Sequence, residues 1–169
     1  GHSALACAPM GSQTSVLFVC LGNICRSPLA EGAFRAAVAD AGLDVAVDSA
    51  GTGGWHIGEA PDPRAQAEAA RHGIDISTYR GRQIEMADFS RFSHIFALDE
   101  ANLADLRRIA PPHATAKIGL LLDIVPGRGG QSVADPYYGG PEDFAQTWRE
   151  VQDAAAHLAV HLGISRPHR

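Results

Sequence analysis

The sequence predicts an α/β domain of three layers: a four-stranded parallel sheet flanked by helices on both faces, with an anion-binding loop directly after the first strand. Two observations carry the prediction. Short apolar, β-rich runs alternate along the chain with longer segments of helical spacing, the pattern of parallel strands joined by crossover helices. The segment densest in reactive side chains also falls where the first run ends, and parallel sheets bind their ligands beyond the carboxyl ends of the strands.

The first strand is the run 16–19, Val-Leu-Phe-Val, which closes on Cys20 and Gly22 and so enters a tight loop. Ser27 can cap a helix there and Pro28 suits a first helical position. Leu29, Ala33, Ala37 and Ala41 then recur at helical spacing until Gly42 supplies a stop. A second strand is expected over 45–47, followed by a glycine-rich loop through Gly51, Gly53, Gly54 and Trp55 and by a helix over 63–72 closed by Gly73. The third strand spans 93–98. Asp99 can cap the next helix, which ends near Ile109 because Pro111 and Pro112 forbid continuation. A fourth strand at 117–122, a long loop carrying Asp135-Pro136-Tyr137-Tyr138, and a final helix over 141–162 complete the order.

The 169 residues suit one domain, and 46% hydrophobic with 20% charged residues is ordinary globular composition. That domain is expected over 16–169, preceded by a flexible arm at 1–15. A net charge of −5 lacks the basic footprint of a nucleic-acid binder. No apolar stretch approaches the roughly 20 residues that span a bilayer, so neither nucleic acid nor a membrane span is expected. Cys7, Cys20 and Cys25 are too few for a secreted disulfide framework, and the opening residues lack the apolar region of a signal peptide. A reducing, cytoplasmic setting fits better.

The informative segment is Val19-Cys20-Leu21-Gly22-Asn23-Ile24-Cys25-Arg26-Ser27-Pro28. It places one cysteine at the end of a strand and an arginine where a helix begins. Successive N–H groups of such a loop converge on one oxyanion, and the helix N-terminus adds partial positive charge. The same field favours a thiolate, because a free cysteine titrates near ~8.5 but falls to roughly 3.5–7.5 at helix N-termini beside cations. Arg26 supplies a planar fork suited to two phosphoryl oxygens at once. Taken alone, Cys20 closing a buried strand reads as a small core residue. Its coincidence with the glycine, the cap residue, the proline and Arg26 is what turns it into a candidate nucleophile.

This segment, with Asp48-Ser49-Ala50-Gly51, Trp55, Pro61-Asp62-Pro63-Arg64, His72-Gly73-Ile74, Asp99-Glu100-Ala101-Asn102-Leu103 and Asp135-Pro136-Tyr137-Tyr138, resembles the low-molecular-weight protein tyrosine phosphatases. The resemblance runs from about Val16 to the last helix. It implies the same sheet and a phosphate-binding loop formed by Leu21, Gly22, Asn23, Ile24, Cys25 and Ser27. It also implies hydrolysis of phosphotyrosine in proteins and of small aryl phosphates, with inorganic phosphate as product and no metal or cofactor. Cys20 is then the nucleophile that forms a phosphocysteine, Arg26 and the loop amides hold the oxyanion, and Asp135 is the general acid and base. Ser27 donates to the Cys20 sulfur, a role compatible with capping. Asn23 adopts positive φ and is tied to Ser49. Trp55, Tyr137 and Tyr138 wall a deep slot for the phenyl ring. Cys25 pairs with Cys20 in a protective disulfide, giving redox regulation.

Three other readings are weighed. Thioredoxin-coupled arsenate reductases share the fold and loop but need downstream cysteines, and none follows Cys25. Arginine phosphatases tend to carry threonine where Ile24 stands, which favours phosphotyrosine. A catalytically dead phosphate-binding module is opposed by the joint presence of Cys20, Arg26 and Asp135. Among weaker features, Asp153, His157 and His161 share a helix face that could bind a divalent metal, though a solvated polar face explains them equally well. Residues 51–54 fall short of a dinucleotide fingerprint and read as a flexible loop. Asp99 reads most simply as a helix cap, with a contact to the active-site network as the lesser alternative.

Overall fold

The computed structural model describes residues 13–165, with side chains through 163. Strand β1 (Thr14–Cys20) pairs in parallel with β2 (Val45–Gly51) on one side and with β3 (His94–Ala97) on the other. Strand β4 (Lys117–Leu120) pairs in parallel with β3, so the sheet is four-stranded in the order β2-β1-β3-β4. Strands β1 and β3 are therefore interior, and the loop that leaves β1 opens near the middle of the sheet's carboxyl edge, the place such sheets use for ligands.

Side chains alternate across a strand, and β1 uses both faces. Val16, Phe18 and Cys20 join a core with Leu29, Phe34, Trp148 and Leu158, whereas Leu17 and Val19 join a second core with Phe89, Phe92 and Leu106. Helices α1 (Arg26–Asp40), α2 (Pro63–Arg71) and α5 (Pro141–Ser165) cover the first face. Helices α3 (Asp88–Arg91) and α4 (Glu100–Ile109) cover the second. Each fully buried Leu or Phe in these layers contributes roughly 1.5–3 kcal/mol, so the strand beneath the loop is firmly seated. Among the described residues, no helix is long and apolar enough to cross a membrane.

Several boundaries differ from the sequence pattern, each for a physical reason. Thr14 and Ser15 belong to β1 rather than to an arm, because Ser15 and Ser93 exchange two backbone-to-hydroxyl bonds of 2.9 Å that extend the sheet edge. The rest of the expected arm, 1–12, lies outside the described residues. Strand β2 continues to Gly51, hidden in the sequence by the polar Asp48 and Ser49, which are buried but hydrogen-bonded. After Leu120 the chain turns into a 3-10 helix, Leu121–Ile124, instead of extending β4. The short α3 has no counterpart in the periodicity. Helix α1 starts at Arg26 with Cys25 at its N-cap, so Ser27 sits inside the helix and caps nothing.

Candidate active site

Between β1 and α1 the backbone is braced from outside. The carbonyls of Cys20, Leu21 and Ile24 each accept a 2.9 Å hydrogen bond, from the N–H groups of Thr52, Gly53 and Asp62 respectively. A loop that spends its carbonyls outward turns its N–H groups inward, which makes an oxyanion nest. Asn23, at φ 59°, provides the reversal and is the one non-glycine residue with positive φ among the described residues. No side chain caps α1, so its first-turn N–H groups, which lack intrahelical acceptors, remain for a ligand. The glycine-rich segment after β2 is thus a brace, which corrects its reading as a flexible loop. A Cβ on Gly51 would stand 2.8 Å from the Leu21 carbonyl oxygen, so only glycine permits the approach.

Cys20 Sγ lies at the base of this loop, 3% exposed. It accepts from Asn23 N–H at 3.3 Å and lies 3.0 Å from Ser27 Oγ. Asn23 Nδ2 donates to Ser27 Oγ at 2.8 Å and to Ser49 Oγ at 3.0 Å, and Ser49 Oγ donates to Glu31 Oε1 at 2.7 Å. The Ser27 hydroxyl, held by Asn23, keeps its own proton as a donor that can serve the sulfur. Glu31, fully buried, is in turn held by Arg35 Nε at 2.9 Å.

Arg26, 4% exposed, is anchored through one nitrogen. Its Nη1 donates to Asp99 Oδ2 at 2.7 Å and to the Val133 carbonyl at 3.0 Å, leaving the Nε and Nη2 edge for a bidentate ligand. Burial would lower the Arg26 pKa, but Cys20, the Asp99 hydrogen bond and Asp135 outweigh it and raise it further. Asp99 does cap α4, accepting from Asn102 N–H at 2.6 Å through Oδ1. Its second oxygen, which fixes Arg26, makes the contact with the site that the sequence offers as the lesser alternative. Asp135 Oδ2 stands 3.7 Å from Arg26 Nη2, its side chain 48% exposed, and its Oδ1 accepts from Tyr137 N–H at 3.1 Å.

Above the loop opens a cavity of about 250 Å³ lined by Cys20, Leu21, Gly22, Ile24, Cys25, Arg26, Trp55, His56, Asp135, Tyr137 and Tyr138. The aromatic side chains stand at its mouth rather than closing a slot: Trp55 is 68% exposed and Tyr138 95%, because nothing packs on their outer faces. Tyr137 and Tyr138 meet edge to face with centroids 4.9 Å apart. Cys25 and Cys20 are both free thiols. Burial pushes the Cys25 thiol well up, and Asp62, Cys20 and Asp135 add to it.

A family model described as low molecular weight phosphotyrosine protein phosphatase matches residues 15–166. The chain belongs to this family. It is 48% identical over 148 residues to the low molecular weight protein-tyrosine-phosphatase of Streptomyces coelicolor, covering 85% of this chain and 90% of that one. It is 46% identical over 140 residues to the human low molecular weight phosphotyrosine protein phosphatase, covering 80% and 87%. The crystal structure of YfkJ from Bacillus subtilis superimposes with a TM-score of 0.86 at 38% identity, covering 94% of this chain and 100% of that one. As a low-molecular-weight phosphatase the chain is a protein-tyrosine-phosphatase, a phosphoric monoester hydrolase.

Some residues of this phosphatase site left no mark in the sequence pattern. Arg82 donates its N–H to Asn23 Oδ1 at 3.0 Å, while its guanidinium spans Asp48 at 3.1 Å and Asp88 at 3.0 Å and 3.1 Å. It locks the reversed Asn23 from below, and no spacing ties residue 82 to residue 23. His56 lines the cavity with Nδ1 2.9 Å from Glu59 Oε1. The Asp153, His157 and His161 face is not assembled for a metal: His157 Nδ1 is 2.9 Å from the Asp153 backbone carbonyl oxygen. Among the described residues no group of three such side chains could hold an ion.

Proposed function

We propose that this phosphatase cleaves phosphotyrosine by double displacement on Cys20. The observation that carries the reading is the sulfur's position at the floor of the cavity, receiving Asn23 N–H and 3.0 Å from the Ser27 hydroxyl, with Arg26 and Asp135 lining the same cavity. Sγ, deprotonated to the thiolate with its proton lost to solvent, attacks phosphorus, the P–O bond to the phenol breaks, and Asp135 passes its proton to the departing oxygen. The loop N–H groups and the free edge of Arg26 hold the equatorial oxygens as charge spreads over them. Water then attacks the phosphocysteine, Asp135 takes its proton, the S–P bond breaks, and inorganic phosphate leaves. The Ser27 proton stabilises the sulfur as it departs in this second step.

Trp55, Tyr137 and Tyr138 flank the ring of a phosphotyrosine in a protein or of a small aryl phosphate. A phosphoserine carries no ring to bridge from the floor to these side chains. Cys25 serves as the resolving thiol: peroxide oxidises Cys20 to a sulfenic acid, which condenses with the Cys25 thiol to a disulfide and releases water. A chemistry that depends on a reduced Cys20 suits the cytoplasm. The direct test compares phosphate release from phosphotyrosine, phosphoserine and phosphoarginine peptides in the presence of a chelator. Rapid release from phosphotyrosine alone is expected. Preference for phosphoarginine, or loss of activity on chelation, overturns the reading.

A further inference from the structure

Asp135 is placed by its backbone, since its carboxyl is half-exposed and its one tight bond is to Tyr137 N–H, two residues on. The two residues before it are bound at every backbone polar group. Val133 N–H donates to the Leu98 carbonyl at 2.8 Å, and its own carbonyl accepts from Arg26 at 3.0 Å. Ala134 is held instead by side chains of α5. Its carbonyl lies 3.2 Å from Thr147 Oγ1, whose proton is shared with the Asp143 carbonyl at 3.1 Å. Its N–H donates to Glu150 Oε1 at 3.4 Å, and Glu150 Oε2 is fixed by Arg128 Nη2 at 2.6 Å.

Thr147 is fully buried and Glu150 is 7% exposed. Spaced three apart on α5, they present one face to residue 134. Burying a hydroxyl and a carboxylate there is costly, and a buried ion pair adds little to stability over apolar groups of similar volume. Placement of the acid accounts for them better, because proton transfer needs heavy atoms within roughly 2.6–3.2 Å, and a displacement of about 1 Å can cost on the order of 100-fold in rate.

We infer that Thr147 and Glu150 are positioning residues that set where the Asp135 carboxyl stands over the cavity, by fixing both backbone polar groups of Ala134. This rests on the reading of Asp135 as the general acid. The test measures kcat/KM for aryl phosphates of graded leaving-group acidity. Thr147→Val and Glu150→Met should each lose about tenfold on phenols of high pKa, the size of one hydrogen bond, and little on the most acidic phenols. Thr147→Ser and Glu150→Gln, which keep the hydroxyl and the acceptor, should restore the wild-type slope. In an Asp135→Asn background the Val and Met substitutions should cause no further loss.

If Asp135→Asn itself loses equally on all leaving groups, the acid reading falls and this inference falls with it. If Asp135→Asn shows the steep dependence while both α5 variants lose activity uniformly, in step with a lowered melting temperature, the inference alone is overturned. Should one of the two variants fail to fold, the other decides by the same slope.

Discussion

At the floor of the cavity Cys20, Asn23, Arg26 and Ser27 are all 5% exposed or less, and each has a hydrogen-bond partner, whereas at the mouth Trp55 is 68% exposed and Tyr138 95%. In the proposed mechanism the floor handles a group that is the same in every substrate, a tetrahedral oxyanion, so its donors can be fixed in advance at no cost during the reaction. In the same proposal the mouth meets a phenyl ring attached to varied surroundings. Its aromatic faces are left free to close on what arrives. Between them sits Asp135, partly exposed but hung from a fully bonded backbone.

The comparison is broken most severely at the floor. Cys20→Ser should lower turnover by on the order of 10⁴-fold or more, as expected for a lost covalent nucleophile, while the melting temperature and competitive binding of inorganic phosphate stay near wild type. Turnover that survives the change would remove the sulfur from the mechanism.

A subtler strike on the same region is Gly51→Ala. Its Cβ would stand 2.8 Å from the Leu21 carbonyl oxygen and 3.2 Å from the Gly22 carbonyl carbon, both backbone atoms of the phosphate loop. Overpacking of this kind costs roughly 1–3 kcal/mol, and here it should appear as a lower melting temperature together with weaker inhibition by phosphate. Unchanged phosphate inhibition would show that the brace is not what shapes the loop.

The smallest effect sharpens the contrast between the two sulfurs. Cys25→Ser should leave kcat within about twofold, since nothing in the displacement uses that thiol and serine keeps nearly the same volume at this buried position. It should lower the fraction of activity recovered in thiol after exposure to peroxide, because sulfenic acid on Cys20 would proceed to irreversible forms. Equal recovery of the two proteins would remove Cys25 as the resolving partner.

How much of this could be read from the sequence depends on how local each contact is. The loop from Cys20 to Ser27 was legible because strand, glycine, cysteine, arginine and helix start lie next to one another in the chain. The sheet was legible too, because buried β-rich runs such as 16–19 announce themselves. Of the two roles the sequence offers Ser27, the contact with the Cys20 sulfur is present at 3.0 Å, and the cap is not, because a serine before a proline satisfies the local rule while the helix begins one residue earlier. Arg82, the second oxygen of Asp99, and the Thr147 and Glu150 pair act only across the fold. No periodicity encodes such meetings. Strand β2 was cut short for the opposite reason, as its buried polar residues look like a loop until their partners are known.

The guanidinium that completes the oxyanion nest is gripped by groups 73 and 107 positions further along the chain, whereas the sulfur and its hydroxyl neighbour are only 7 apart. Contacts across such spans carry a larger loop-closure entropy than contacts across short ones. The arginine is thus held by segments that only the folded chain brings together, so a disturbance near residue 99 or 133 is expected to reach the guanidinium without touching the loop itself.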